Sequence, residues 1–373
     1  MNFLAPERAT LEDLLPGLDA ALSRIPLMEM ERPGNPSIAI FKSSGGPGLL
    51  IPGRFGGRSA TPLQALRIQR AIASRAPSLA VATTMHHFTI ASLMEINPED
   101  PGLEGALLES IARGNLYVAS GFAEGKTGTS IQTSALRVER GPAGFVLNGS
   151  KKPCSLSRSM DLFTLSTPAP EGMDAGLAAV IIPADTPGIE RRPFWASPIL
   201  AGAESDELVL RNVVVAEDAF LPLGGSGRSN AVQDRGFLWF ELLIAGVYLG
   251  IASALVERVL LSGKGSPADR VTLAAEVEGA MVALEGIARG MMAGERGNEQ
   301  LARMLLVRYA VQGAISRATS LAVELLGGMA FIASPEVSYL LAASRALTLH
   351  PPSRLTASVR LDAFLKGGLL VID

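Results

Sequence analysis

The spacing of apolar residues changes character twice along this chain. Over the first 115 residues it is mostly helical. Leu63, Leu66, Arg67 and Arg70 place apolar and basic side chains on different faces of one helical run. Residues 77 to 97 form a second, more uniformly apolar helix, and Leu49 to Gly57 read as a glycine-rich connector. From about 116 to 225 the pattern becomes short and strand-like. Ala135 to Arg140, a Gly-Pro-Ala-Gly turn and Phe145 to Gly149 read as strand, turn, strand. Further strands are predicted at 162–167, 177–182 and 207–215, and in the last Leu208 and Leu210 share one face. From about 226 to the end the helical period returns. Val277, Met281, Leu284, Ile287 and Met291 recur at three- and four-residue spacing, as do Met304, Val311, Ile315, Ala318, Ala322 and Leu325. The pattern predicts an α+β protein with three parts: an N-terminal helical domain (1–115), a middle antiparallel β-domain (116–225) and a C-terminal four-helix bundle (226–373).

Composition adds exclusions. With 373 residues, 48% of them hydrophobic, the chain is long enough for a large core and more than one domain. A formal charge of −3 gives no reason to expect nucleic acid as a partner. A single cysteine, Cys154, excludes an internal disulfide framework and fits a reducing compartment. The first 15 residues do not have the order of a secretory signal, so a cytoplasmic location is expected. Between Glu241 and Glu257 lie 15 uncharged residues, fewer than the roughly 20 needed to cross a bilayer. A helix apolar on all sides is then the centre of a buried bundle, and no membrane partner is expected.

Three segments carry a family resemblance. They are IQTSALRVERGPAGFVLNGSKK (131–152), VIIPADTPGIERRP (180–193) and LAVELLGGMAFIASPEVSYLLAASRALTLHPPS (321–353). In order and spacing they resemble the acyl-CoA dehydrogenase superfamily, which includes flavin-dependent monooxygenases of the same fold. The resemblance implies FAD, or FMN in a monooxygenase, held between the β-domain and the C-terminal bundle. It implies flavin contacts from Ser120, Gly125 and Lys126 in one loop, from Ser155 after the β-turn, and from Glu324, Gly327 and Gly328 at a helix end. A hydroxyl beside the flavin N5 edge tunes a ring that gains electrons there. Lys126 reads either as a point charge for a pyrophosphate or as a solvated loop lysine. Where relatives keep R-x-x-F-G between the first two bundle helices, this chain has SGKGSPADR (262–270), with Arg270 as a substitute or merely part of the next helix.

The chemistry turns on one mismatch. Pro351 falls where the dehydrogenases keep the Glu that removes the α-proton, and proline cannot act as a base. Two residues are candidates for the catalytic role. Glu241 lies one residue from the alternative base position, alone in an apolar run where burial raises a carboxyl pKa; its other reading is a salt-bridging or capping glutamate. His350 stands at the family's Tyr position, and TLHPPSR (348–354) is similar to the T-L-H-D-P segment of the monooxygenases; its other reading is a helix-ending histidine. His86 and His87 lie together on an apolar helix without the Asp, Glu or Cys spacing of a metal site, and no metal is expected.

Three functions follow. The first is dehydrogenation of an acyl thioester, linked to CoA or a carrier protein, through Glu241 or His350 and FAD. The second is monooxygenation with reduced flavin from a separate reductase and O2. The third is a silent subunit completing a partner's site in a hetero-oligomer. Each expects a small-molecule substrate, and the family resemblance implies a homodimer or homotetramer.

Overall fold

The apolar run around Glu241 becomes a helix of 34 residues, and the other long helices pack against it. The computed structural model describes residues 2–96, 102–125, 133–173, 176–223 and 229–370. The N-terminal part holds α1 (Ala5–Leu14), α2 (Leu18–Ser23), α3 (Leu27–Met30), α4 (Ser37–Ser43), α5 (Pro62–Ala73), α6 (Pro77–Ile96) and α7 (Gly102–Gly114). The C-terminal part holds α8 (Ser229–Ser262), α9 (Pro267–Met292), α10 (Asn298–Leu326), α11 (Gly328–Ala333), α12 (Pro335–Ser344) and α13 (Arg354–Leu365). The bundle therefore has three long helices, and the much shorter α12 packs against α8 and α10.

Helix α8 is in contact with α5, α6, α9, α10 and α12. Its 29-residue stretch Asp234–Ser262 is long and apolar enough to cross a membrane, but 94% of its most apolar window is buried inside the protein. Gly250 lets α5 approach closely: a Cβ there would lie 2.4 Å from the Arg70 carbonyl oxygen and 2.7 Å from the Ala73 Cβ. The basic residues of α5 pack against other helices. Arg70 is fully buried, bonded to Glu7 of α1 (2.7 Å), Glu278 of α9 (2.7 Å) and Ser253 of α8 (3.1 Å). Arg67 reaches Glu285 of α9 at 2.8 Å. Both arginines therefore join α5 to neighbouring helices.

The middle part is two four-stranded sheets, ordered β1-β4-β5-β8 and β2-β3-β7-β6. The strands are β1 (Val118–Gly121), β2 (Arg137–Gly141), β3 (Gly144–Cys154), β4 (Leu162–Pro168), β5 (Leu177–Pro183), β6 (Ile189–Arg192), β7 (Asp206–Val215) and β8 (Phe220–Pro222). The expected strands are all present. The expectation of a purely antiparallel domain is corrected at one place: β1 pairs parallel with β4, Ser120 opposite Thr164. Between them the chain makes the β2–β3 hairpin of the other sheet. That detour is the crossover a parallel pair requires.

Candidate active site

The turn after α12 is set by two prolines. A 3-10 turn (Arg345–Leu349) ends at His350, which takes an extended conformation (φ −71°, ψ 136°). A residue before proline is pushed out of the helical region, so Pro351 stops the turn at His350. The Leu347 carbonyl accepts from the His350 N–H at 3.3 Å, but the carbonyls of His350 and Pro351 lie past the turn and need a partner. Arg308, fully buried on α10, supplies one. Its Nη2 donates to the carbonyls of Leu347 (3.0 Å) and His350 (2.6 Å), and its Nη1 to Pro351 (3.4 Å). The same Nη1 contacts both carboxylate oxygens of Glu241 at 2.8 and 2.6 Å. Burial pushes the Glu241 carboxyl up to about 7, and Arg308 opposes the shift. With both side chains sealed from solvent, the contact is a buried ion pair. The His350 Nε2 lies 2.8 Å from the Tyr248 hydroxyl, also on α8. Burial first, then the Arg308 charge, push the imidazole down to about 3, so the ring is neutral at ordinary pH.

From His350 a row of rings leads to the β-domain. Phe240 lies 6.1 Å from His350, Phe88 of α6 lies 5.6 Å from Phe240, and Phe122 lies 6.1 Å from Phe88. Phe122 follows β1, whose Ser120 is buried. Beside Ser120 in the sheet, the Thr164 hydroxyl is sealed without a hydrogen-bond partner. Ser155 is buried against Ser205, their hydroxyls 3.0 Å apart. Below them Lys151, fully buried, donates to Glu124 (2.7 Å), Ser134 (3.0 Å) and Ser166 (3.1 Å). Desolvation lowers the lysine pKa, with Glu124 opposing. This network ties the segment after β1 to β3 and β4. Gly125 sits in that segment at φ +64°, where a Cβ would meet the Lys152 side chain at 2.8 Å.

The structure thus brings His350 and Glu241 together through Arg308, and joins His350 to the Ser120 region by the row of rings. It gives Glu241 the salt-bridging role rather than a free carboxylate. It does not bring the helix-end residues to this cluster within one chain. Gly327 (φ +83°) ends α10, and Glu324 and Gly328 are exposed beside it. They are 16 to 20 residues past Arg308 in sequence, about 24 Å or more along the helix direction. Lys126 lies outside the described residues. Arg270 is occupied within its own turn, donating to the carbonyls of Gly263 (3.0 Å), Lys264 (3.3 Å) and Gly265 (2.6 Å). His86 is also committed: its Nε2 is 2.8 Å from the Pro47 carbonyl and its Nδ1 accepts from the Val118 N–H at 3.0 Å. His87 is buried with neither ring nitrogen hydrogen-bonded. Among the described residues no group of three His, Cys, Asp or Glu is placed to hold a metal. A groove of about 420 Å³ beside α2, α3 and the end of α8 is lined by none of the residues singled out above.

Arg308, Tyr248 and Ser205 were not singled out by the sequence. A signal for two of them existed. Arg308 falls between Met304 and Val311 on the apolar stripe of its helix, and Tyr248 is seven residues, two turns, after Glu241. A charge on an apolar stripe demands a buried partner.

No family model matches this sequence. Individual proteins do. Isobutylamine N-hydroxylase from Streptomyces viridifaciens is 43% identical over 380 aligned positions, covering all of both chains. The chain belongs to the acyl-CoA dehydrogenase superfamily. Within that superfamily it is also 28% identical to a dibenzothiophene monooxygenase from Rhodococcus qingshengii, over 63% of this chain and 58% of that one. The fold matches FMN-bound TdsC from Paenibacillus sp. A11-2 with a TM-score of 0.81 at 22% identity, covering 98% and 99% of the two chains. This superfamily member is therefore a flavin-dependent oxidoreductase by descent. Of what an isoalloxazine ring needs, the residues present supply hydroxyls, the Ser155–Ser205 pair and the unpartnered Thr164 hydroxyl, and apolar rings, Phe240, Phe88 and Phe122, packed edge to face.

Proposed function

We propose that this enzyme is a flavin-dependent monooxygenase that hydroxylates the nitrogen of a small aliphatic amine. Reduced flavin comes from a separate reductase, and O2 is the co-substrate. The observation that carries the reading is Glu241 in its buried ion pair with Arg308. An acyl-thioester dehydrogenase needs a carboxylate free to take an α-proton. Here the carboxylate offered for that task is held by a guanidinium, and the usual position is Pro351. Oxygen transfer to an amine needs no such base at carbon. The full-length similarity to an amine N-hydroxylase supports the same choice and supplies the substrate class.

A bound reduced flavin would supply the two electrons by which one oxygen atom of O2 goes to the amine nitrogen and the other leaves as water. The chain's residues do the rest. Phe88, Phe122 and Phe240 supply apolar surface for a short alkyl chain and exclude water, which protects a reactive site from side reactions. Ser155, with Ser205 behind it, places a hydroxyl for the polar edge of the ring. His350 presents a neutral imidazole whose Nε2 is already held by Tyr248.

The test uses the purified protein with chemically or enzymatically reduced FMN or FAD, ¹⁸O2 and isobutylamine. The expected result is the N-alkylhydroxylamine carrying one ¹⁸O, read by mass spectrometry. A panel of primary amines giving no hydroxylated product, together with anaerobic flavin bleaching by an acyl-CoA, would return the enzyme to the dehydrogenase class.

A further inference from the structure

We propose that Arg308 and Tyr248 are positioning residues for His350: Arg308 fixes the turn that carries the ring, and Tyr248 fixes the ring as the tautomer with its proton on Nδ1. The inference rests on the proposed function only in giving His350 a place beside the reacting molecule.

The tautomer follows from hydrogen-bond accounting. The Tyr248 hydroxyl is fully buried, and among the described residues its single partner is the His350 Nε2 at 2.8 Å. A phenol has one hydrogen to donate. Were Nε2 to donate instead, that hydrogen would be sealed without an acceptor, at a cost of about 1–3 kcal/mol. The phenol stays protonated, because burial raises its pKa far above the usual value. Tyr248 therefore donates, Nε2 accepts, and the ring proton sits on Nδ1. No protein atom among the described residues accepts from Nδ1, and that nitrogen is not one of the sealed, unpartnered polar atoms. It is a hydrogen-bond donor left over for a bound molecule.

The backbone is held as firmly. Arg308 donates to the carbonyls of Leu347, His350 and Pro351, on both sides of the ring-bearing residue. Tyr309 adds a hydrogen bond from its hydroxyl to the Pro352 carbonyl at 3.0 Å. The charged and titratable groups beside the ring are Arg308 from α10 and Tyr248 from α8, with Phe240 as the apolar neighbour. Arg308 disfavours a second positive charge on the imidazole, so the ring remains a donor through Nδ1 and does not become an imidazolium.

The chain supplies its own contrast. His86 accepts the Val118 N–H at Nδ1, so its proton must be on Nε2. The experiment is ¹⁵N-histidine NMR of the full-length protein, with His350 assigned by its loss in His350→Asn. His350 is expected to show the Nδ1–H pattern and His86 the Nε2–H pattern, both unchanged from about pH 9 down to about pH 5, below the ordinary histidine value. In Tyr248→Phe the His350 nitrogens should move toward a tautomer mixture while His86 stays fixed. In Arg308→Lys the tautomer should persist, and in Arg308→Met the His350 signals should broaden or begin to titrate. The kinetic readout is the initial rate of product formation as the amine concentration is varied, with reduced flavin and O2 in excess. Tyr248→Phe should lower kcat on the order of 10- to 100-fold, the scale of a misplaced reacting group, with KM within about twofold. An Nε2–H pattern for His350, or a Tyr248→Phe spectrum identical to wild type, would overturn the proposal. The spectra need neither flavin nor amine. If the tautomer is found and no amine is hydroxylated, the proposed reaction fails and the positioning stands.

Discussion

Arg70 and Arg308 are both sealed from solvent, both touch α8, and both are paired with carboxylates, yet they do different things. Arg70 spends its guanidinium on side chains of three packed helices: Glu7, Ser253 and Glu278. Arg308 holds Glu241 and also the backbone carbonyls of a turn that Tyr309 and Gln312 of the same helix support beside it. The first joins rigid elements that apolar packing already holds. The second gives shape to a segment without regular structure, the one carrying His350. A buried arginine is thus read by what accepts from it. Helix side chains mean assembly, and turn carbonyls mean preorganisation of whatever the turn carries.

The largest effects are expected from removing either charge. Arg70→Met and Arg308→Met each leave a buried carboxylate without its partner, at a cost of about 3–5 kcal/mol. Chemical denaturation measures this. If either variant is as stable as wild type, the ion pair it removes is not formed in solution.

A third buried cluster sharpens the contrast, because among the described residues its carboxyl is bonded to no cation. Glu31 is bonded to the Ser78 N–H and to the Tyr339 hydroxyl, which in turn accepts from the Leu200 N–H at 2.9 Å. Burial raises its pKa to about 7, opposed by the bonds from Ser78 and Tyr339. The folded pKa is above the unfolded value, so the contribution is complete below about pH 4.5 and is lost as pH rises through about 7. The shift corresponds to about 3 kcal/mol. Glu31→Gln does not titrate, so its stability relative to wild type should rise over that window. Buried neutral histidines pull the other way below their ordinary pKa, but they are common to both proteins and cancel. A wild-type-minus-variant difference that is flat with pH would remove the raised carboxyl from the account.

Lysine substitutions separate the two arginines by function. Lysine keeps the positive charge but not the planar fork. Arg70→Lys should lower stability and leave turnover per folded molecule near wild type. Arg308→Lys should keep the contact with Glu241 but lose carbonyls of the turn, lowering turnover on the order of 10- to 100-fold. Equal turnover losses in the two variants would collapse the distinction.

Much of the fold was legible in the sequence because apolar periodicity reports burial directly. The long helices, the hairpin at 137–154 and the strands at 162–168, 177–183 and 206–215 are where the pattern puts them. The short strands β1, β6 and β8 were not, since three or four residues carry too little alternation. The site was half legible. His350, Ser120 and Ser155 came from matching a family pattern, whereas Arg308, Tyr248 and Ser205 are far from them in sequence and meet them only through packing. Glu241 shows the limit most clearly. Its isolation in an apolar run signals a buried carboxylate, but periodicity cannot say that the partner lies 67 residues later on another helix.

The smallest effect falls on the β-domain, at Ser155. Ser155 contributes one hydroxyl, held 3.0 Å from Ser205. Ser155→Ala removes one neutral hydrogen bond, so stability should fall by about 1 kcal/mol or less. If the hydroxyl also meets the flavin, affinity for the oxidised cofactor should weaken by about 2- to 13-fold, the equivalent of one hydrogen bond. Fluorescence titration with FMN and FAD measures it, and Arg308→Lys serves as the control from the helix side. That variant should alter turnover while leaving flavin affinity nearly unchanged, because Arg308 acts on the turn rather than on the ring. Opposite outcomes, with Ser155→Ala binding flavin normally and Arg308→Lys failing to bind it, would place the cofactor against α10 instead of beside β3.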